Sequence, residues 1–257
     1  MNAQRTFAIA ANVFREVIRD RVLYLAGLFA VVMVVATLLL PEISAGAENK
    51  IILDVGLAAI DLIGLMVTVF VGTGLINREI EKRTVLTLIA KPMHRSEFVV
   101  GKHIGLSTVL AVLTAIMTVF YFGMLSLNQI EYPMVSIVTA TSYLILQLCL
   151  IAAVAILFGV FTSSLIATIL TFATYLMGHF SRDLLTLSQL TDSPNAQRLV
   201  KGIYLILPDL SRFNLKNDAV YDILPNTPTL LANASYGLLY TTLLLTVAVW
   251  IFSRREF

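Results

Sequence analysis

The chain alternates long apolar stretches with short polar breaks. A bilayer core of about 30 Å takes roughly 20 apolar residues per helix, and six stretches reach that scale. They cover residues 22–40, 51–76, 104–127, 134–161, 164–180 and 229–252. Pro41 and the polar run PEISAGAENK end the first span, Asn128 to Pro133 turn the third into the fourth, and Thr162 and Ser163 lead into the fifth. The pattern predicts an all-α membrane protein built as one transmembrane domain over 1–257. Composition agrees, with 58% hydrophobic and 13% charged residues, against roughly a quarter charged in soluble domains. Arg15, Arg19 and Arg21 before the first run, and Ala45-Gly46-Ala47 after it, imitate a secretion signal. The run from Val22 to Leu40 exceeds the roughly 7–15 residues of a signal core, so a retained helix is expected.

Basic residues orient the spans. Arg5, Arg15, Arg19 and Arg21 precede the first span, Arg78, Lys82, Arg83, Lys91, Arg95 and Lys102 follow the second, and Arg254 and Arg255 follow the sixth. These groups hold most of the 18 basic residues and share one side, expected to be cytoplasmic together with both termini. Residues 1–21 read as an interfacial helix, with Phe7, Ala11, Phe14 and Ile18 on one face and Arg5, Asn12, Arg15, Glu16 and Arg19 on the other.

The charged stretch NREIEKRTVLTLIAKPMHR opens a cytoplasmic segment over 77–103. Val85, Leu88 and Ile89 form a stripe on a short helix flanked by Arg83, Thr84, Thr87 and Lys91, which Pro92 stops. Such a helix either docks into a groove on a soluble partner or lies on the lipid surface.

Membrane-depth polar groups form a second set of candidates, since intramembrane charges are costly unless paired or hydrated. Asp54 and Asp61 share a face of the second span, and Asp54 lies one turn from Lys50, its expected ion partner. Asp61 faces either a pathway or a neighbouring helix. Ser164, Thr168, Thr171 and Tyr175 stripe the fifth span and either line a translocation path or bond across a helix interface. Gly72 and Gly74 permit close approach or bending of the second span.

The extracytoplasmic segment 181–228 is long enough to carry structure of its own. It sets Arg182, Arg198, Lys201, Arg212 and Lys216 against five aspartates. Ser193-Pro194 opens a helix to about Leu207, with Val200, Ile203, Tyr204 and Leu207 on its apolar face, and a looser helix spans Asp209 to Leu224. Cys149 stands alone, His94, His103 and His179 lack metal-ligand spacing, and Asn233-Ala234-Ser235 is a sequon that begins a span.

The array of Glu79, Glu81, Thr84, Leu88, Pro92, Arg95 and Lys102 resembles the cytoplasmic signature of type-2 ABC transporter permeases. The GLINREIEKRT ending of the second span is most similar to the subfamily named for multicopper-enzyme maturation. The resemblance implies an exporter permease that forms a homodimer in a bacterial-type inner (plasma) membrane, with a path at the dimer interface and two copies of a separate ABC ATPase. It makes residues 82–90 a coupling helix docked by Val85, Leu88 and Ile89, with Lys82, Arg83, Thr84, Pro92 and Arg95 beside it. Glu79 and Glu81 join the second span to that helix, either ion-paired, Glu79 with Arg83 and with a base from the N-terminal helix, or solvated. It also makes the N-terminal helix an elbow along the inner leaflet, and it places short helices over the outer mouth, where an extracytoplasmic partner could bind.

The chain lacks G-x-x-x-x-G-K-[ST], and Gly101-Lys102 has neither the upstream glycine nor the following hydroxyl. No catalytic residue, metal site, bound cofactor or nucleic-acid partner is expected; ATP and Mg act through the partner ATPase. H-E-x-x-H and G-x-S-x-G are also absent, which argues against a membrane-embedded hydrolase. The alternative class is an ion-coupled carrier using Asp61, without the repeated halves many such carriers show.

Overall fold

A computed structural model describes residues 2–20, 22–43, 48–81, 94–181 and 194–254. The described residues form helices α1 (Ala3–Arg19), α2 (Tyr24–Ile43), α3 (Glu48–Glu81), α4 (Arg95–Leu127), α5 (Met134–Phe161) and α6 (Ser164–His179). After these come α7 (Pro194–Ile206), a 3-10 turn (Leu210–Phe213), α8 (Lys216–Val220) and α9 (Thr227–Arg254). Five of them, α2, α3, α4, α5 and α9, are long and apolar enough to cross a membrane, and α6 is a shorter apolar helix. Helix is what apolar spans permit, because every backbone donor and acceptor then bonds within its own segment.

Two boundaries differ from the sequence pattern. The first span passes through Pro41 to Ile43; proline removes one intrahelical bond, and the helix ends two residues later. The third span begins at Arg95 rather than near residue 104. Its start is fixed by Glu97, which is buried and accepts from the backbone N–H of Asn2 at 2.5 Å and of His94 at 3.4 Å. The intervening segment therefore narrows to 82–93.

Helix α5 is the axis of the bundle, packing against α3, α4, α6, α8, α9 and the 3-10 turn. Its run of Ala152, Ala153 and Ala155 is fully buried, and such small side chains let neighbouring backbones approach. Glycines on α3 complete this seam: a Cβ on Gly64 would lie 2.5 Å from Leu148 Cδ1, and one on Gly72 would lie 2.9 Å from Ala155 Cβ. Gly72 thus serves close approach. Along the seam higher numbers on α3 meet higher numbers on α5, so the two helices run parallel. Helices α2 and α9 are peripheral, and their outward faces, including Leu38, Leu39, Leu239 and Leu243, are exposed and apolar.

Helix α1 lies across the start of α4. Its buried face is Thr6, Ala10, Val13 and Val17, while Phe7 is 74% exposed. Of the expected stripe of Phe7, Ala11, Phe14 and Ile18, Phe14 and Ile18 pack against the core while Phe7 points away from it, so the buried face is centred on the small and β-branched residues beside the stripe. The crossing is close: a Cβ on Gly105 would sit 2.7 Å from the Ala10 carbonyl oxygen, and one on Gly101 would sit 2.9 Å from Ile9 Cβ. Gly105→Val is expected to lift α1 from α4 and make the thiol of Val13→Cys react quickly with a membrane-impermeant maleimide; unchanged slow labelling would show that α1 tolerates the extra volume.

Within the 181–228 segment, residues 210–220 fold into the bundle. Leu210, Phe213, Leu215, Ala219 and Val220 are buried in the main core. A Cβ on Gly178 would lie 2.8 Å from the Pro208 carbonyl oxygen, and one on Gly237 would lie 2.8 Å from the Phe213 ring, so both glycines make room for this re-entrant stretch. The expected looser helix over 209–224 is two short pieces, the 3-10 turn and α8, separated by Asn214 and Leu215.

Candidate functional site

Two charged centres sit at different levels of the bundle. At the first, Lys102 is 4% exposed and donates from Nζ to the Leu75 carbonyl at 2.9 Å and to Glu79 in an ion pair. Helix α4 supplies the lysine and the last turns of α3 supply the carboxylate. Lys102 of α4 is thus a basic partner of Glu79 beyond those expected from the sequence. The early start of α4 brings Lys102 level with Glu79. A cavity of about 250 Å³ lined by Ile9, Asn12, Phe98, Glu79 and Lys102 opens on one flank, and a smaller one of about 40 Å³ lined by Glu16, Asp20 and Leu75 opens on the other. The pair is therefore a post between α1, α3 and α4, close to the two helix ends that bracket 82–93.

Among the residues expected to dock a partner, Lys82, Arg83, Thr84, Val85, Leu88, Ile89 and Pro92 lie outside the described residues. Glu81 is the last residue of α3. Arg95 opens α4, and its Nη1 donates to the carbonyls of Phe252 at 2.8 Å and Ser253 at 2.6 Å. A guanidinium there meets the orphan carbonyls and negative dipole end of α9, tying the last span to the foot of α4.

The second centre is Asp61, which is 2% exposed. At 1.5 Å per residue it lies about 20 Å along α3 from Glu48. Gln147 Nε2 on α5 donates to Oδ1 at 3.2 Å, and Tyr175 OH on α6 donates to Oδ2 at 3.1 Å. Lys216 on α8 closes an ion pair with Oδ2 at 2.5 Å. Four elements thus converge on one carboxylate. His179 packs its ring on Tyr175 with centroids 4.4 Å apart and lies within electrostatic range of both Asp61 and Lys216.

The polar stripe of α6 faces α3. Thr168 and Thr73 share a hydrogen bond at 3.0 Å between their hydroxyls, Thr171 is fully buried and bonds the Ala167 carbonyl at 2.7 Å, and Tyr175 reaches Asp61. Ser164 opens the helix. The adjoining face, with Leu165, Ile169, Phe172 and Leu176, is exposed and apolar.

Lys50 does not pair with Asp54 in an ion pair among the described residues; its Nζ lies 4.4 Å from the centre of the Tyr221 ring, while Asp54 lies within electrostatic range of Lys216. The re-entrant stretch supplies both new partners, which spacing along one helix cannot reveal.

Gln147 and Lys216 carry the Asp61 centre and neither stands out by charge pattern or motif. For Gln147 a signal exists. Asp61 and Gln147 each stand thirteen residues after the first residue of helices that enter from the same end, so residue counting puts them at one depth. Lys216 gives no such signal, because its depth depends on how far the 208–224 stretch folds inward.

A second cluster anchors that stretch. Asp209 is buried and accepts from Ser181 at 3.0 Å, Ser211 at 2.5 Å and Arg212 Nε at 3.0 Å. Buried Asn233 donates to the Arg212 carbonyl at 3.2 Å, so the sequon asparagine is engaged in the core. At the far side of α8, Ser136 donates to Asp222 at 2.5 Å. Among the described residues no group of three or more His, Cys, Asp or Glu side chains is placed to hold a metal ion.

The profile of the family described as ABC-2 family transporter protein matches residues 7–257. No curated protein matches the chain. A profile match over nearly the whole length, on a bundle of apolar helices long enough to span a bilayer, shows that the chain belongs to the ABC-2 transporter family and is a multi-pass membrane permease of an ABC transporter.

Proposed function

We propose that the chain is the permease half of an ATP-driven exporter, closest to the multicopper-enzyme-maturation group, and that two copies form the membrane unit with two copies of a separate ABC ATPase. Residues 82–90 act as the coupling helix, facing the cytoplasm with both termini, and Val85, Leu88 and Ile89 fill the ATPase groove. The observation that carries this reading is the Glu79–Lys102 post, whose lysine is buried. Helix α3 ends and α4 begins around 82–93, and the post locks both feet to each other while α1 lies across α4. A push on 82–93 is therefore delivered to α1, α3 and α4 together rather than absorbed by one flexible joint. Arg95 extends the same rigid foot to α9, a structural role beside any contact it makes with the ATPase.

In this reading ATP closure of the ATPase dimer moves the foot, the permease dimer interface is the two-state element, and α3 and α6 shift against each other along the surface holding Asp61, Ser164, Thr168, Thr171 and Tyr175. Inside a single copy Asp61 bonds Tyr175 and Thr168 bonds Thr73 across the α3–α6 seam, so a path along these groups opens by sliding this seam. The elbow role of α1 along the inner leaflet is supported by its exposed Phe7 and basic face. A carrier driven through Asp61 alone is the weaker reading, because the carboxylate already holds an ion pair with Lys216.

The test is copurification from native membranes in mild detergent. Stoichiometric recovery of a soluble ATPase, lost in Val85→Asp/Leu88→Asp while the permease stays inserted, is the expected result. An ATPase retained by that variant, or none recovered with the unaltered chain, overturns the docking assignment.

A further inference from the structure

The Asp61 centre is rich in acceptors. Beside the carboxylate stand the Tyr175 phenol oxygen and His179, whose Nδ1 is engaged with the Tyr175 carbonyl at 3.1 Å. His179 Nε2 is enclosed and makes no hydrogen bond among the described residues. The cation paired with Asp61 is Lys216, and it differs from the other members in how it is held. Gln147 and Tyr175 belong to helices packed along their length, whereas Lys216 starts a five-residue helix and its side chain keeps 27% exposure against 3% for Asp61. Its ammonium reaches the carboxylate on a flexible four-carbon stem. The backbone around it is pinned separately, through Asp209 on one side and Asp222 on the other. Lys216 can therefore swing out without any helix moving, and what it leaves is a buried carboxylate that needs a counter-ion.

The group that fits is another primary ammonium, which carries three donors and no acceptor. Tyr175 adds an aromatic ring beside the carboxylate for such a cation. The same helix α6 turns Phe172 and Leu176 outward, both exposed, so an apolar tail would lie along its lipid side while the ammonium enters beside Tyr175.

We propose that the Asp61 cluster is a binding site for a primary alkylammonium group, occupied in the resting chain by its own Lys216, and that the cargo is an amine-bearing amphiphile whose ammonium takes the place of that lysine. The cargo half rests on the path reading above; the ammonium site does not.

The experiment uses the purified permease in detergent without ATPase. Lys216→Ala unfolds at a lower temperature than the unaltered chain, and butylammonium at tens of millimolar restores most of the difference. Butanol and tetramethylammonium do not, and the Asp61→Asn/Lys216→Ala double variant gains nothing from any of them. Equal effects of butanol and butylammonium, or rescue that survives Asp61→Asn, overturn the site. Where Lys216→Ala does not accumulate, Lys216→Gln is read the same way. Cargo is then tested in vesicles holding permease and ATPase: ATP-dependent movement of dodecylammonium, with dodecanol and dodecyl sulfate unmoved, is expected. Rescue without such movement removes the cargo half alone, and failure to recover any ATPase removes the exporter reading while leaving the site standing.

Discussion

Lys102→Met is expected to lower the unfolding temperature of the purified protein by roughly 6–12 °C, which corresponds to about 3 kcal/mol for a chain of this size. The lysine is buried and joins the Leu75 carbonyl as well as Glu79. Methionine keeps the stem volume but leaves a carboxylate facing it without the ammonium. Breaking a fully buried pair costs about 3–5 kcal/mol, and the lower end applies because the Glu79 side chain is 28% exposed and water meets part of the loss. The double variant Glu79→Gln/Lys102→Met separates charge from packing: removing both charges is expected to return more than half of the lost stability. Thermal unfolding followed by intrinsic fluorescence reads all three proteins. If Lys102→Met unfolds with the unaltered chain, the post does not hold the feet of α3 and α4, and the proposed transmission through it fails.

Gly72→Leu is expected to have a larger effect and to leave little folded protein in the membrane. A Cβ at this position meets Ala155 Cβ at 2.9 Å and Leu106 Cδ2 at 3.3 Å. The alanine methyl is fixed to its backbone and cannot rotate away, so the helices themselves must part. Overpacking a tight core costs about 1–3 kcal/mol for a few added methylenes, and here it falls on the seam between α3 and the central helix α5. Gly72→Ala alone is expected at the lower end of that range. Moving the methyl across the seam, as Gly72→Ala/Ala155→Gly, restores the total volume and is expected to recover most of the yield. A swap no better than the single variant would show that Gly72 matters for backbone freedom rather than for contact.

Asp61, Glu79 and Lys102 are each legible in the sequence as single residues, but their pairing is not. Asp61 stands out because a carboxylate in an apolar run needs a reason, and Glu79 stands out through its place in the charged signature. Their partners do not follow from the same reading. From the sequence Glu79 is expected to pair with Arg83, which lies outside the described residues, and with a base from the N-terminal helix; Lys102 is not among these, and it reaches Glu79 from α4 because that helix begins at Arg95. Spacing matches Asp54 to its neighbour Lys50, whereas Lys50 turns to Tyr221. The polar stripe of α6 suits a path and a helix interface equally by its pattern, and within one copy it meets Thr73 and Asp61 of α3.

The number and extent of the apolar runs, their helical state and the concentration of basic residues in three places are all written in the chain itself. These properties are local, because a helix in an apolar medium satisfies its own backbone and its length is read from consecutive residues. The rotation of each helix about its axis, and the depth to which the stretch before α9 folds inward, are set instead by packing. They rest on contacts such as Ala155 against Gly72 and Phe213 against Gly237, between residues 83 and 24 positions apart, and no local pattern carries them. Lys216 is the clearest instance: it reaches Asp61 across 155 positions, and spacing within a single helix relates residues only a few turns apart.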